Sequence, residues 1–291
     1  MIEAQEGLDW DLWRQVACDA DRLGFAALRT SDHCFSVFGV TERPTLPAWP
    51  ALALAAEWTS SIQLGPMVSP MTFYEPAILA RFARAVDELA GGRLILGVGA
   101  GWYEAEHEAF GIPFLTLRER FDRLEAGIER IQRTLADHPL PLLIGGQGPK
   151  RGLPLVARHA AEWNLNTTDL ETYRAKAAVL ADCCRAVGRD PGQIRHSIMA
   201  GYLVGRDQAE LRARAARFAR YLPGMADVPP DEMLDGLRHR MLVGTPAEVV
   251  AQMRGMVEAG VSLFMLQHHL YDDSDALELL ASEVMPELQR M

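Results

Sequence analysis

The best acid/base candidate in this chain is His33, set in Ser31-Asp32-His33-Cys34. Imidazole titrates near neutral pH, and a carboxylate such as Asp32 can orient a neighbouring group. The plainer reading is a loop histidine bonded to backbone. A second pair, His268-His269, is adjacent in sequence. On a strand such neighbours face opposite ways, which lets one enter a binding cavity and disfavours both ligating one metal. No H-x-H or H-E-x-x-H spacing is present, so no metal is expected. Cys18, Cys34, Cys183 and Cys184 show no C-x-x-C spacing and fit free thiols in a reducing compartment. Nucleophile-elbow and Walker motifs are absent as well.

Two other passages join an apolar run to glycines: Gly92-Arg-Leu-Ile-Leu-Gly-Val-Gly-Ala-Gly-Trp-Tyr103 and Leu142-Leu-Ile-Gly-Gly-Gln-Gly-Pro-Lys-Arg151. Glycines there let backbone approach a ligand, and bare N–H groups at a helix start favour an anion. Two such exits point to a phosphorylated cofactor at one end of a parallel sheet. The dinucleotide fingerprint G-x-G-x-x-G is not met, because Trp102 stands where its third glycine belongs. Trp102 either walls a cofactor ring or packs on the next helix. Lys150 and Arg151 either meet phosphate or are solvated charges, and the adjacent Gly-Gly-x-Gly turn favours phosphate. Glu104 and Glu106 are more simply read as complements to a helix dipole than as a hydrolytic carboxylate pair.

The elements that must position these residues alternate almost without a break. Strands are expected at Met1–Gln5, Phe25–Thr30, Ile62–Val68, Arg93–Val98, Leu140–Ile144, Glu162–Asn166, Ile194–Val204 and Val261–Gln267. Helical stretches lie between them, and a proline-bearing excursion separates the helices Ala209–Tyr221 and Ala247–Ala259. A final helix is expected over Ala276–Leu288. This order implies a parallel sheet, and eight units in 291 residues imply one closed (β/α)8 barrel of class α/β, with an open doubly wound sheet as the alternative. Active sites in such barrels lie at the carboxyl ends of the strands, where the residues singled out above fall. No linker divides the chain, so residues 1–291 read as a single domain.

Composition narrows the partners. A formal charge of −10 disfavours nucleic acid and anionic membrane, and no apolar run approaches the ~20 residues of a membrane span. The N-terminus lacks signal-peptide character, so a cytoplasmic location is expected.

Taken together, the residues resemble the bacterial luciferase-like superfamily, in its branch of F420-dependent oxidoreductases. The resemblance rests on Met1-Ile-Glu-Ala-Gln-Glu-Gly-Leu8, Leu23-Gly-Phe-Ala-Ala-Leu-Arg-Thr-Ser-Asp-His33 and Ser61-Ile-Gln-Leu-Gly-Pro-Met-Val-Ser-Pro70. It rests also on Gly91–Trp102 with Glu104-Ala-Glu-His107, on Ile144–Arg151 with Ala157–Asn164, and on Val243-Gly-Thr-Pro-Ala-Glu-Val249. It implies a TIM barrel binding coenzyme F420, or alternatively FMN, at its carboxyl face and exchanging a hydride with a small organic substrate. By position it implies that His33 lies beside the ring or substrate as the catalytic residue. Cofactor contacts are implied at Asp32, Met67, Val68, Ala100, Gly101, Gly145, Gly146, Gln147, Gly148 and Thr167. A non-proline cis peptide is expected between Met67 and Val68, where Pro66 and Pro70 flank the strand end. The alternatives are a two-component FMN-dependent monooxygenase fed by a separate flavin reductase, and a non-catalytic flavin-binding barrel. A homodimer is the implied assembly. Relatives carry a longer hairpin near 135–140, which is here shortened or missing.

Overall fold

The computed structural model describes residues 1–40 and 42–291. Several helices begin where short polar side chains take up free N–H groups. Asp9 accepts from Leu12 N to open α1 (Trp10–Arg22), whose Trp13, Val16, Ala17 and Ala20 recur at helical spacing and are buried. Then come β1 (Ala27–Thr30), α2 (Ala48–Trp58), β2 (Gln63–Pro66), the two-residue β3 (Ser69–Pro70) and α3 (Pro76–Leu89). β4 (Leu96–Gly99) is followed by the short α4 (Glu104–Ala109) and by α5 (Leu117–Thr134), which a Thr116–Glu119 capping box starts. The chain continues through β5 (Leu142–Gly145), α6 (Gly152–His159), β6 (Glu162–Asn166), α7 (Leu170–Ala186) and the ten-residue β7 (Arg195–Val204). It ends with α8 (Gln208–Tyr221), α9 (Pro230–Leu237), β8 (Met241–Gly244), α10 (Pro246–Glu258), β9 (Leu263–Gln267), α11 (Ser274–Leu279) and α12 (Met285–Gln289).

All strand pairs are parallel. β1 pairs β2, and a Leu64–Leu94 bridge joins β2 to the chain entering β4. The ring then runs β4–β5–β6–β7–β9. Residues 1–2 close it: Ile2 bridges Thr30, and His268 N donates to Met1 O at 3.0 Å. Going round, the order is residues 1–2, β1, β2, β4, β5, β6, β7 and β9, an α/β barrel with its helices outside.

The barrel interior is not wholly apolar. Arg29 and Glu162 are fully buried, and the Arg29 guanidinium donates to Gln63 O at 3.0 Å and to Gln63 Oε1 at 2.9 Å. Glu162 accepts from Ser197 Oγ at 2.7 Å and lies 3.2 Å from Arg195. Outside the ring, Asp21 of α1 accepts from the N–H groups of Ser60, Ser61 and Ile62 at 2.7–2.9 Å and fixes the entry to β2. Burial opposes ionisation of Asp21, but those N–H groups and the Ser61 hydroxyl hold its carboxyl well below the usual range. A depressed carboxyl stabilises the fold above its unfolded pKa of about 3.9 and ceases to do so as pH falls through the folded value. Asp21→Ala is therefore expected to lower stability by about 1–3 kcal/mol at neutral pH. In urea titrations that deficit should shrink below about pH 4; a deficit independent of pH would contradict the account.

Three expectations need correction. The strand expected over Met1–Gln5 keeps only residues 1–2 in the ladder, because Ala4 N turns to Ser31 Oγ at 3.0 Å and Glu6 N to Glu3 O at 2.9 Å. The excursion after α8 contains β8, which extends the sheet along the far half of β7 (Gly201–Val204). The final helix is interrupted by a π turn over Leu280–Val284 just before Pro286, which has no N–H with which to continue the regular pattern. No described helix is long and apolar enough to cross a membrane. From Leu135 to Pro141 the chain passes directly from α5 into β5 with only a turn between.

Candidate active site

β1 delivers Ser31-Asp32-His33 to the carboxyl rim of the barrel. Ser31 Oγ donates to Gln5 Oε1 and anchors the turn after the first stave. Asp32 is buried and accepts from Ser69 Oγ at 2.5 Å and from Tyr74 OH at 3.0–3.1 Å. Burial raises its pKa, against those two hydroxyl bonds. Asp32 thus ties β1 to β3 and does not orient His33.

The group that orients His33 is Glu106. His33 Nδ1 lies 2.8 Å from Glu106 Oε2, and the other carboxylate oxygen accepts from Cys34 N at 2.5 Å. Glu106 is 1% exposed, so its charge is out of water and is met by these two donors. A carboxylate can only accept, so Nδ1 carries the proton. In the neutral ring Nε2 is then the bare, basic nitrogen. Burial lowers the His33 pKa, but the Glu106 bond and the charges of Glu106, Glu3 and Asp32 outweigh it and hold the imidazole above its ordinary value. α4 is itself clamped: His107 Nδ1 donates to Tyr103 O at 2.8 Å, which leaves Nε2 to accept from Thr72 Oγ1 at 2.8 Å. The macrodipole reading of Glu106 is therefore incomplete. The clue in the sequence was an acid two residues after Glu104, whose helical phase turns it inward.

The glycines divide into two groups. A Cβ on Gly97 would lie 2.1 Å from Pro66 O, and one on Gly99 would lie 2.6 Å from Val68 Cγ2. On Gly101, at φ +76°, it would meet Thr72 Oγ1 at 2.6 Å. These glycines let the Pro66–Thr72 passage lie against β4, and Gly99 and Gly101 also line the cavity at the end of that strand. Gly146, at φ +138°, has nothing within 4 Å of its Cβ position. Among the described residues the N–H groups of Gln147 and Gly148 have no protein acceptor. The peptide between Met67 and Val68 is cis, as expected.

These elements surround a cavity of about 770 Å³ at the carboxyl face. Of the expected site residues, Asp32, His33, Met67, Val68, Ala100, Gly101, Gly145, Gly146 and Gln147 line it, and Trp102 joins them. Trp102 is 64% exposed, with its ring edge-on to His33 at 5.6 Å. Gly148 and Thr167 lie off the wall: Gly148 O accepts from Leu153 N at 3.0 Å in the first turn of α6, and Thr167 Oγ1 accepts from Asp169 N at 3.0 Å. Arg151 is held by Asp122 at 2.7 Å and Glu125 at 3.3 Å, and Lys150 is exposed, so neither is placed against the cavity. The two adjacent histidines separate as expected. His268 is buried against Tyr202 OH at 2.6 Å, while His269 lines the cavity. Sequence reasoning missed Glu3, Gln5 and Arg120 and gave Glu106 only a helix-dipole role; all four are on the cavity wall, as is Gln267 at the end of β9.

The chain belongs to the luciferase-like monooxygenase family, whose sequence profile matches residues 3–263. An F420-dependent hydroxymycolic acid dehydrogenase of Mycobacterium tuberculosis is 29% identical, with 93% of this chain and 82% of that protein covered. An F420-dependent glucose-6-phosphate dehydrogenase of Kineococcus radiotolerans is 26% identical, with 94% and 91% covered. The solved structure of an F420-dependent secondary alcohol dehydrogenase in complex with an F420-acetone adduct superposes with a TM-score of 0.79 at 20% identity, covering 94% of each chain. The barrel is thus of the luciferase-like kind.

Proposed function

We propose that this chain, as a single domain, is an F420-dependent oxidoreductase that transfers a hydride between the deazaflavin and a small organic substrate. The observation that carries the reading is the His33–Glu106 pair on the wall of a cavity large enough for a ring cofactor and a small molecule together. The names of the relatives, both F420-dependent, support the choice of cofactor.

The chemistry of the walls fits such a group. Val68, Met67, Ala100 and Gly101 offer an apolar and backbone surface for a ring. The turn Gly145-Gly146-Gln147 lines the cavity and offers the unpartnered Gln147 N–H to a phosphate. Asp32 holds the wall behind them through Ser69 and Tyr74. The cofactor, when bound, supplies the hydride donor or acceptor. His33 Nε2 takes the substrate proton in the oxidative direction and returns it in the reductive one, while Glu106 fixes the ring and its tautomer.

Titration of the purified protein with F420 and with FMN, followed by quenching of tryptophan emission that is lost in Trp102→Phe, tests the cofactor assignment. Binding of F420 at micromolar concentration is expected; failure of both cofactors to bind would remove the reading. The family description favours one alternative, an FMN monooxygenase fed by a separate reductase. Oxygen consumption with reduced FMN would select it. Tight binding of F420 without turnover by any acceptor would select a non-catalytic barrel. We also propose a cytoplasmic homodimer, to be checked by light scattering and by fractionation of cells.

A further inference from the structure

The stave order sets the two sides of the cavity apart. Gly145-Gly146-Gln147 follows β5, four staves from residues 1–2, and so stands across the ring from Glu3. On that far side Glu3, Gln5, Phe38, Gln267 and His269 line the wall. None of them belongs to the phosphate turn or bonds to the His33–Glu106 pair, although the Glu3 charge helps raise the His33 pKa.

Glu3 is held from both oxygens, accepting from Gln267 Nε2 at 2.7 Å and from Gln5 Nε2 at 3.1 Å. Two neutral amides orient the carboxylate without cancelling its charge, and two of its four acceptor positions stay open. Among the described residues no Arg or Lys pairs with it; the nearby Arg43 is committed to Glu6 at 2.7 Å. His269 sits in an aromatic surround of Phe218, Tyr221 and Phe38, with ring centroids 5.4, 5.6 and 6.4 Å away. Its Nδ1 is buried with no partner. Burial pushes the His269 pKa down to about 4, so the ring is neutral at physiological pH and offers no charge to an anion.

We infer that this side of the cavity is the substrate subsite, and that it takes an uncharged or cationic hydroxyl compound, an alcohol or amino alcohol, and turns away anions. The inference rests on the hydride-transfer reading for its meaning but on Glu3 and His269 for its chemistry. An uncompensated carboxylate attracts a cation, accepts from a hydroxyl, and repels a carboxylate or phosphate. The subsite therefore differs from one built for a sugar phosphate, the substrate named for the Kineococcus relative.

The test uses three probes on one carbon skeleton: isopropanolamine, propylene glycol and lactate. Their binding to the full chain, with and without F420, is followed by the ring signals of nitrogen-labelled histidine, with His269 assigned by their loss in His269→Phe. KM is measured in parallel with the F420-loaded protein. Isopropanolamine is expected to bind at least about tenfold more tightly than lactate, with propylene glycol between them. Glu3→Gln should bring the three within about threefold of one another, and Glu3→Lys should reverse the order. If Glu3→Lys does not fold, Glu3→Gln and the loss of discrimination in high salt give the same reading. Lactate binding as tightly as isopropanolamine, or His269 signals unmoved by all three, overturns the inference even where F420 binds. Shifts in the expected order in a protein that fails to bind F420 keep the subsite and remove the hydride-transfer reading instead.

Discussion

His33→Asn is expected to lower kcat/KM by about 10²–10⁴-fold while leaving the fold intact. Asparagine is the informative replacement because its side-chain amide can still donate to Glu106, which accepts from His33 Nδ1 at 2.8 Å. The buried carboxylate then keeps a partner, and only the basic Nε2 is lost. Alanine would remove both together and would strand a carboxylate that is 1% exposed. The check is steady-state kinetics beside a urea unfolding curve. A variant with wild-type stability and a rate within about tenfold of wild type would remove His33 from proton transfer.

Glu106→Gln should act on the pH profile. In the oxidative direction the neutral His33 is the base, so the rate falls as pH drops and the ring protonates. Burial alone would put that acid limb below about 6.5, and the Glu106 bond and charge, with Glu3 and Asp32, lift it above. Removing the Glu106 charge takes away the largest influence opposing burial, and the limb is expected to move down toward lower pH. Stability follows the opposite sense of pH. A raised histidine pKa stabilises the wild-type fold fully below about 6.5, and that contribution is lost as pH rises through the folded value. The glutamine must also face two donors, the His33 ring and Cys34 N, with one oxygen, which costs about 1–3 kcal/mol. Profiles of kcat/KM against pH for the two proteins decide the matter. An unmoved acid limb would mean that the observed ionisation belongs to another group.

Much of the fold was legible because its signals are local. β6 and α3 fall at the residues that apolar runs, caps and prolines mark: Glu162–Asn166 and Pro76–Leu89. β8 was not legible. A four-residue Met-Leu-Val-Gly run becomes a strand only because β7, at ten residues, outlasts β9 and leaves its far half unpaired. The site divides the same way. His33, the glycine turn after β5 and the passage around Met67 could be placed at strand ends from sequence. The partner of His33 could not.

By itself the sequence determined the order of strands and helices, and with it a parallel barrel. It also determined the identity of the one histidine at the end of β1 and the reach of the glycine turn toward an anion. These follow from spacing and from what each residue type can do within a few positions of itself. Only the tertiary structure decided that Glu106, 73 positions away, orients His33 while the adjacent Asp32 serves Ser69 and Tyr74. It alone showed that Gly97, Gly99 and Gly101 accommodate neighbouring protein atoms and that Glu3 and His269 face one cavity. The physical reason is common to all of these. Hydrogen bonds and steric fit act over about 3–4 Å, and in a closed barrel such contacts join staves far apart in the chain, which no local pattern records.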